Sequence, residues 1–288
     1  MDTGSGKTML AKRLPSILPP LSPEESLETT RVYSARGLLE PGQSLLAVRP
    51  VRTPHHSSSS AALVGGGIIP QPGEISLAHH GVLFLDEFPE FARATLEMIR
   101  QPLEDGCVTI PRVHSTLRFP ASIMLVAAMN PCPCGYYTDP KRPCKCGPLM
   151  IERYMGRVSG PLIDRIDIHI EVPPVPWKQL RGDEVGASSE QMRACVLAAR
   201  AVQRARFPAG STTTNATMNT RQIRQHCRLG PEGETLLRQA MTELGLSARA
   251  HDKVLRIART IADLEAADSI APHHLAEAIQ YRRLDRKL

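Results

Sequence analysis

Aromatic residues are scarce in this chain, at 4% of 288 residues, and only one is a tryptophan. So small a set argues against a surface on which single-stranded nucleic acid stacks base by base as the main binding mode. Long apolar runs are also missing, since the longest, about Ala121 to Met129, is far short of the ~20 residues of a membrane helix. No charged-then-apolar signal segment opens the chain. We therefore expect a protein that does not span a membrane.

Cysteines are few and odd in number, seven in all, and four of them lie in one short stretch. This pattern argues against a secreted disulfide framework and favours the reducing cytoplasm. The remaining composition, 42% hydrophobic and 22% charged, is that of an ordinary globular protein. Its length suits one large domain or two of medium size.

The net charge of +6 comes entirely from the C-terminal part of the chain. Residues 1–177 contain 17 Lys+Arg and 17 Asp+Glu, whereas residues 178–288 contain 18 and 12. A basic C-terminal part suits a polyanionic partner such as DNA, but it is also typical of a soluble basic helical domain. Charge alone does not choose between these two interpretations.

The chain to about Val175 mixes short apolar runs with Gly/Pro loops, which is typical of an α/β domain. Gly81–Leu85 and Ser122–Ala128 are near-continuous apolar runs, which predict strands buried on both faces of a parallel sheet. Ile166–Val172 alternates between apolar and polar residues and predicts a more exposed strand. A helix is predicted from Arg93 to Leu103.

Residues 173–176 (Pro-Pro-Val-Pro) break this pattern and predict a linker. From about Ser188 onward the chain reads as helical throughout. One long segment repeats apolar residues at helical spacing, at Val254, Ile257, Ala258, Ile261 and Leu264. Pro272 suits the first turn of a last helix, which Leu275, Ile279 and Leu284 continue. We predict an α/β domain over residues 1–177 and an all-helical domain over residues 178–288.

Gly4-Ser5-Gly6-Lys7-Thr8 is the strongest local motif. In the pattern G-x-x-x-x-G-K-[ST], backbone N–H groups cradle phosphates, the lysine reaches the β/γ-phosphates and the hydroxyl binds Mg²⁺. Lys7 and Thr8 fill the last two roles, and the alternative is a chance Gly/Ser turn. Met1 stands where the first glycine of the pattern belongs, and the strand that should precede the loop is absent. We therefore expect a truncated start.

Two adjacent carboxylates, Asp86 and Glu87, follow the first buried strand. ATP hydrolysis needs one carboxylate on the Mg²⁺ shell and another to orient or deprotonate water, so we assign Asp86 to the metal and Glu87 to the water. Asn130 follows the second buried strand and is a candidate sensor of the γ-phosphate. The alternatives are a solvated acidic turn and a simple Asn-Pro turn.

Two arginines are candidates for contact with the nucleotide. Arg165 begins the alternating strand and could be supplied in trans to the γ-phosphate of a neighbour, or could simply pair with Asp164 or Asp167. Arg249 opens the long C-terminal helix and could report the state of the nucleotide, or could be a solvated first-turn arginine. Neither assignment stands without its context.

Together these features resemble the magnesium-chelatase-like AAA+ ATPases, and most closely the ComM/YifB family, over essentially the whole chain. Several long and distinct strings occur in the expected order, which is far more specific than any lone motif. They are Pro54–Ser57, Gly65–Gly67, Pro72–Ala78, His80–Glu87, Met129–Gly135, Ser159–Asp167 and Ala258–Leu264.

The resemblance implies an AAA+ P-loop sandwich with a helical lid, a hexameric ring, and ATP and Mg²⁺ as cofactors. It implies a Walker A motif at Gly4–Thr8 and a Walker B motif at Asp86 and Glu87. Asn130 becomes sensor 1, Arg165 an arginine finger and Arg249 sensor 2. ComM-like proteins look like DNA branch-migration helicases of natural transformation, so DNA is the expected partner. The N-terminal domain of that family, which resembles part of the Lon protease fold, is absent from this sequence.

Residues 107–119 read as two short strands around a turn. In related ATPases a hairpin at this place points into the ring pore, where Arg112, His114 and Arg118 could contact phosphates without reading sequence. The alternative is an ordinary edge hairpin with solvated charges. The adjacent His55 and His56 are expected to serve loop packing or capping beside Ser57–Ser60.

Cys132-Pro-Cys134 and Cys144-Lys-Cys146 could supply four thiolates to a structural Zn²⁺. The usual spacing within each pair is two to four residues, whereas here it is one, which strains a shared metal. Reduced surface thiols or a redox-sensitive loop are the alternatives. Cys107, Cys195 and Cys227 look isolated.

The favoured function is therefore ATP-driven movement along DNA in a hexamer. A second hypothesis is a chelatase-like motor that remodels a protein partner. A third is a binding or assembly subunit that does not hydrolyse ATP, because the phosphate loop is incomplete. Partner proteins and the preferred DNA structure do not follow from the residues.

Overall fold

The structure, a computed structural model, describes residues 6–111, 116–137, 139, 142–173, 186–208 and 211–282. The chain forms two compact units. The first runs to Arg165 apart from Ser16–Pro19, and the second consists of Ser16–Pro19 and the chain from Ile166 onward. The predicted domain boundary at 177/178 lies outside the described ranges and stays a prediction. None of the helices described has both the length and the apolar character that crossing a membrane requires.

Short strands and helices alternate in the first unit. In chain order they are α1 (Lys7–Arg13), α2 (Pro23–Arg36), β1 (Val51–Arg52), α3 (Ser60–Val64), β2 (Gly65–Gly66), β3 (Gln71–Pro72), α4 (Glu74–Leu77), β4 (Val82–Leu85), α5 (Arg93–Asp105), β5 (Cys107–Pro111), β6 (Thr116–Pro120), β7 (Met124–Ala127), α6 (Pro148–Met155) and α7 (Gly160–Ile163). Short 3₁₀ helices lie at Leu14–Ser16 and Phe88–Glu90. The helix predicted from Arg93 is confirmed as α5, and it buries Leu96 and Ile99.

A parallel sheet of order β1-β4-β7 forms the centre of this unit. The middle strand β4 pairs on both sides, and its four apolar side chains are all buried. This confirms the expectation from its continuous apolar run. Strand β7 runs in register with β4, with Leu85 opposite Ala127, so the two strands end at the same edge of the sheet.

Two antiparallel pairs complete the described strands. One is the small β2-β3 pair, and the other is the β5-β6 hairpin, which was predicted for residues 107–119. Arg118 lies in β6, whereas Arg112 and His114 are outside the described residues.

The prediction of a strand at Ile166–Val172 is wrong, since these residues lie outside any helix or strand in the structure. The backbone N–H of His169 donates to the carbonyl of Tyr281 at 2.8 Å. The apolar residues Ile168 and Ile170 are exposed, whereas the polar residue His169 is buried. Alternation of residue types is a property of the sequence, but a strand also needs a neighbouring backbone for its ladder, and none of the described strands pairs with this segment.

Helices are the regular elements described in the second unit, apart from one bridge between Leu229 and Ile270. They are α8 (Ser189–Arg206), α9 (Thr220–His226), α10 (Pro231–Leu244), α11 (Ala248–Leu264) and α12 (Pro272–Gln280), with a 3₁₀ helix at Asn215–Thr217. Capping boxes begin α8 and α9, where the N-cap side chains of Ser188 and Asn219 accept from the backbone of Gln191 and Gln222. A mixed α/β unit and a helical unit confirm the predicted fold class.

The predicted apolar stripe of α11 forms the core of this helical unit. Val254, Ile257, Ala258 and Ile261 are buried there, although Leu264 at the end of the helix is half exposed. Pro272 occupies the first turn of α12 as predicted, and Leu275 is fully buried. Leu284 lies outside the described residues.

A buried ionic network, which the sequence did not indicate, lies beside this core. The Asp263 side chain is fully buried. One carboxylate oxygen accepts from Arg206 at 2.5 Å and from Arg259 at 3.0 Å, and the other accepts from the Asn215 amide at 2.7 Å. Arg259 also donates to the carbonyls of Ala267 and Asp268, just after α11 ends. The network thereby joins α8, α11 and the segment that follows α11.

We predict that Asp263→Ala lowers the free energy of unfolding by about 3–5 kcal/mol, because it leaves two guanidinium groups without their buried carboxylate. Denaturant unfolding followed by circular dichroism measures the change. Glu243→Ala, at an exposed position of α10, is the matched control and should change stability by less than about 0.5 kcal/mol. Equal, small effects of both substitutions would contradict the structural role of the network.

Candidate active site

Helix α1 places the phosphate-loop residues at the end of the parallel sheet. Its Ala11 is buried against Phe84 of β4 and Ala128, which follows β7. One turn earlier on the same helix lie Lys7 and Thr8, which therefore approach the carboxyl ends of both strands. Gly6 precedes the helix with φ 70°, a left-handed conformation that glycine adopts without strain. Gly4 and Ser5, also predicted for this loop, lie outside the described residues.

Lys7 bridges from the helix to the end of β7. Its ammonium donates to the carbonyl of Met129 and to the side-chain oxygen of Asn130, both at 2.8 Å. Lys7 thus contacts the candidate sensor Asn130, although the two residues are more than a hundred positions apart in the chain.

Thr8 makes the equivalent bridge to the end of β4. Its hydroxyl donates to one carboxylate oxygen of Asp86 at 2.7 Å. Two neighbouring ligands of an octahedral Mg²⁺ at 2.0–2.1 Å lie about 2.9 Å apart, so this separation fits a shared ion. A hydroxyl and a carboxylate are also the oxygen ligands that Mg²⁺ prefers. The residues present therefore fit the predicted magnesium site.

Glu87 has an unusual backbone, with φ 51° and ψ 44°. A non-glycine residue in this left-handed region is strained by roughly 1–3 kcal/mol and persists only where its surroundings hold it. Its N–H donates to the second oxygen of Asp86 at 2.9 Å, while its own side chain is half exposed. The turn sends the two adjacent carboxylates in different directions, as the assignment of separate roles requires.

His56 contacts Glu87, and the sequence did not predict this contact. Its Nδ1 lies 3.0 Å from the Glu87 carboxylate, and its ring lies 4.1 Å from the ring of His55. His55 in turn hydrogen-bonds the Ser57 hydroxyl at 2.8 Å, in line with the loop-capping role expected for this histidine pair. The sequence offered one indication of this contact, the family string Pro54–Ser57. The spacing of residues within that string did not reveal its role.

Tyr154 is a second residue that the sequence did not bring to the site. It lies in α6, is buried, and hydrogen-bonds the backbone of Asn130. Burial raises the pKa of its hydroxyl to about 12, so this group stays protonated at neutral pH. Tyr154 thereby fixes the backbone of the candidate sensor.

The two candidate arginines have different surroundings. Arg165 pairs with Glu104 and donates to the carbonyl of Pro161 at 2.6 Å, so the carboxylate that the structure shows beside it is that of Glu104. Arg249 is exposed in the first turn of α11, in the second unit. The nucleotide roles of both arginines stay predictions.

The remaining candidates divide between the hairpin and the cysteine cluster. Arg118 is exposed in β6, and its guanidinium donates to the Cys107 sulfur at 3.0 Å. Cys132, Cys134, Cys144 and Cys146 converge, with all four sulfurs within 4.8 Å of one another.

Comparison with known proteins gives matches along nearly the whole chain. The family model "Magnesium chelatase, subunit ChlI" matches residues 2–180, and "Magnesium chelatase, subunit ChlI C-terminal" matches residues 186–282. The competence protein ComM of Haemophilus influenzae is 47% identical over 289 residues, which cover 99% of this chain and 55% of that protein.

The uncharacterized protein YifB of Salmonella typhimurium is 45% identical over 286 residues, with the same coverage. The uncharacterized protein Rv2897c of Mycobacterium tuberculosis is 41% identical over 281 residues, covering 97% of this chain and 55% of that protein. The chain thus spans about half the length of these curated relatives.

We predict that Lys7→Met weakens binding of a magnesium nucleoside triphosphate roughly 10- to 100-fold, because a charge-assisted bond to phosphate contributes about 1.5–3 kcal/mol. Titration with a fluorescent, slowly hydrolysed analogue measures the affinity. Lys12→Met, at an exposed position of the same helix, should leave the affinity unchanged. An equal loss in both variants would mean that helix α1, and not the Lys7 ammonium, is responsible.

Proposed function

Since this chain belongs to the magnesium chelatase family, as its match to the ChlI model over residues 2–180 shows, we propose that it is the motor part of an AAA+ ring ATPase that moves along DNA. One observation supports the proposal most strongly. Helix α1 contacts the ends of both β7 and β4, since Lys7 hydrogen-bonds Asn130 and Thr8 hydrogen-bonds Asp86. In this proposal the Lys7 ammonium binds the phosphates next to Thr8 and Asp86, which bind Mg²⁺, as transfer of a phosphoryl group to water requires.

The residues divide the work as follows. The Lys7 ammonium exchanges its contacts with Met129 and Asn130 for the β- and γ-phosphates. Thr8 and Asp86 would hold Mg²⁺, which when bound would neutralise charge on the phosphates. Glu87, held in its left-handed turn, orients the attacking water and accepts its proton. His56 contacts the Glu87 carboxylate directly and so positions it.

The ring completes the site in this proposal. In a hexamer, Arg165 of one subunit leaves Glu104 and reaches the γ-phosphate bound by its neighbour, where it stabilises charge in the transition state. Arg249 responds to the nucleotide from the helical unit. Support for a ring comes from the family and from an arginine whose present partner, Glu104, is itself half exposed.

DNA is the proposed substrate because of three separate features. The competence protein ComM is among the relatives, and competence is the uptake of DNA. The C-terminal part accounts for the whole net positive charge of the chain. The hairpin that holds Arg118 offers a basic contact for phosphates. We propose branch migration of recombining DNA as the specific activity and the cytoplasm as its location, in keeping with seven free cysteines.

Glu87→Gln should lower the rate of ATP hydrolysis at least about 100-fold while ATP binding is kept, because it removes the base and leaves the phosphate contacts. Steady-state phosphate release, with and without branched DNA, measures the rate, and we expect DNA to stimulate the unaltered protein. Glu90→Gln is the matched control, since Glu90 pairs with Arg157 at 2.7 Å and has no proposed role in hydrolysis.

The same assay separates the other candidate functions. Hydrolysis that a partner protein stimulates and DNA does not would point to a chelatase-like remodelling motor. Binding of DNA or of other subunits without any hydrolysis would identify a binding or assembly subunit. Either result would contradict the proposed DNA motor.

Replacing both Arg112 and Arg118 with alanine should weaken DNA binding without regard to sequence. Each lost phosphate contact reduces the slope of log K against log [salt] by about 0.9 for duplex DNA. Fluorescence anisotropy over a range of salt concentrations measures that slope. Arg36→Ala, at the exposed end of α2, is the control. An unchanged slope in the double variant would exclude the hairpin as the DNA contact.

A further inference from the structure

Four cysteine sulfurs meet at one point after strand β7. The Cys132 sulfur lies 3.3 Å from that of Cys134 and 3.7 Å from that of Cys144, and the Cys134 and Cys144 sulfurs are 3.6 Å apart. Cys146 completes the group, with every sulfur within 4.8 Å of the others. A disulfide would bring two sulfurs to about 2.0 Å, so these are free thiols.

The sulfur–sulfur separations of 3.3–3.7 Å are close to the edge length of a metal–thiolate tetrahedron. Zinc binds thiolate sulfur at about 2.3 Å, which places any two of four tetrahedral sulfurs about 3.8 Å apart. Free thiols gain little from crowding, because the S–H group is only a weak hydrogen-bond donor. Four sulfurs at this spacing therefore indicate a single ion at their centre.

The short spacing within each pair does not prevent convergence. After the first pair, Gly135 turns the chain with φ 82°, and its N–H donates to the Cys132 carbonyl at 3.0 Å. In the second pair, the backbone N–H of Cys146 points at the Cys144 sulfur, 3.4 Å away. Backbone N–H groups aimed at sulfur stabilise thiolate ligands of metals. The turn geometry thus allows the cysteines of each pair to converge although only one residue separates them.

The position of the cluster explains what an ion would do. Residues 128–147 form neither helix nor strand where the structure describes them, and a segment of this length needs ties to keep one conformation. Cys132 is completely buried, two residues after Asn130. On the far side, α6 begins at Pro148 and carries Tyr154, which hydrogen-bonds the backbone of Asn130.

We propose that Cys132, Cys134, Cys144 and Cys146 bind one Zn²⁺ in a closed, four-thiolate structural site that holds the segment after Asn130 in place. Four protein ligands leave no open position for water, so the ion has no catalytic role. Tetrahedral sulfur sites hold zinc or iron, and a compact set of four sulfurs around one centre suits a single ion and not an iron–sulfur cluster. The inference does not depend on ATP hydrolysis, because its readout is the metal.

The test measures metal in the full chain, purified under reducing conditions without chelators. Elemental analysis should find about one zinc per chain in the unaltered protein and next to none in the double variant Cys144→Ser/Cys146→Ser. Cys195→Ser, at an exposed cysteine of α8, is the matched control and should keep its zinc. Protein that contains no zinc and takes none from a coloured zinc indicator would overturn the proposal.

A second measurement covers the case in which the double variant does not fold. Unaltered protein, stripped of metal and loaded with Co²⁺, should show the sulfur-to-cobalt charge-transfer band and the visible bands of tetrahedral cobalt. A spectrum of octahedral cobalt, or the colour of an iron–sulfur centre in freshly purified protein, would overturn the assignment. Zinc removal should also lower the melting temperature of unaltered protein, and an unchanged temperature would contradict a structural role.

Discussion

The pairing of β4 with β7 is the constraint on which the site depends. Every side chain of strand β4 is buried, and the strand is hydrogen-bonded to a neighbour on both edges. It therefore cannot shift without exposing apolar surface. Its in-register partner β7 ends beside it, which brings Asp86 and Asn130 to one edge of the sheet. Helix α1 is held over that edge by Ala11, and its two polar residues each contact one strand end. The chemistry of the site thus follows from sheet register.

The strained turn at Glu87 follows from the same arrangement. An extended residue at this position would continue the alternation of β4, in which successive side chains point to opposite faces of the sheet. The left-handed conformation instead binds the Glu87 N–H to Asp86 and leaves the Glu87 carboxylate beside His56. The cost of that conformation is met by burial of the strand before it and of Phe88 after it. The separation of the Asp86 and Glu87 carboxylates, for which we propose metal binding and water orientation, is therefore a property of the backbone.

Sequence motifs identified the elements of the site well but not their supports. Apolar runs predicted β4 and β7, and the candidate residues that follow these runs lie close together because strand ends in a parallel sheet share one edge. The sequence did not predict the residues that contact these candidates. They are His56, which contacts Glu87, Tyr154, which hydrogen-bonds Asn130, and Glu104, which pairs with Arg165. Each is a single contact between distant segments, which no local pattern encodes. The prediction of a strand at Ile166–Val172 was wrong for a related reason. Periodicity describes which side chains are apolar and not whether a neighbouring strand is present.

The sequence by itself determined the fold class, the helix starts and the residue types at the strand ends, because these depend on local composition, capping and apolar spacing. Only the tertiary structure decided three other matters: that four cysteines with a one-residue spacing meet, that Asp263 is buried between two arginines, and that Lys7 and Thr8 divide between two strand ends. The physical reason is distance along the chain. Contacts between residues from about ten to more than a hundred positions apart are set by how whole segments pack, and packing depends on the sum of many weak contacts and not on any motif.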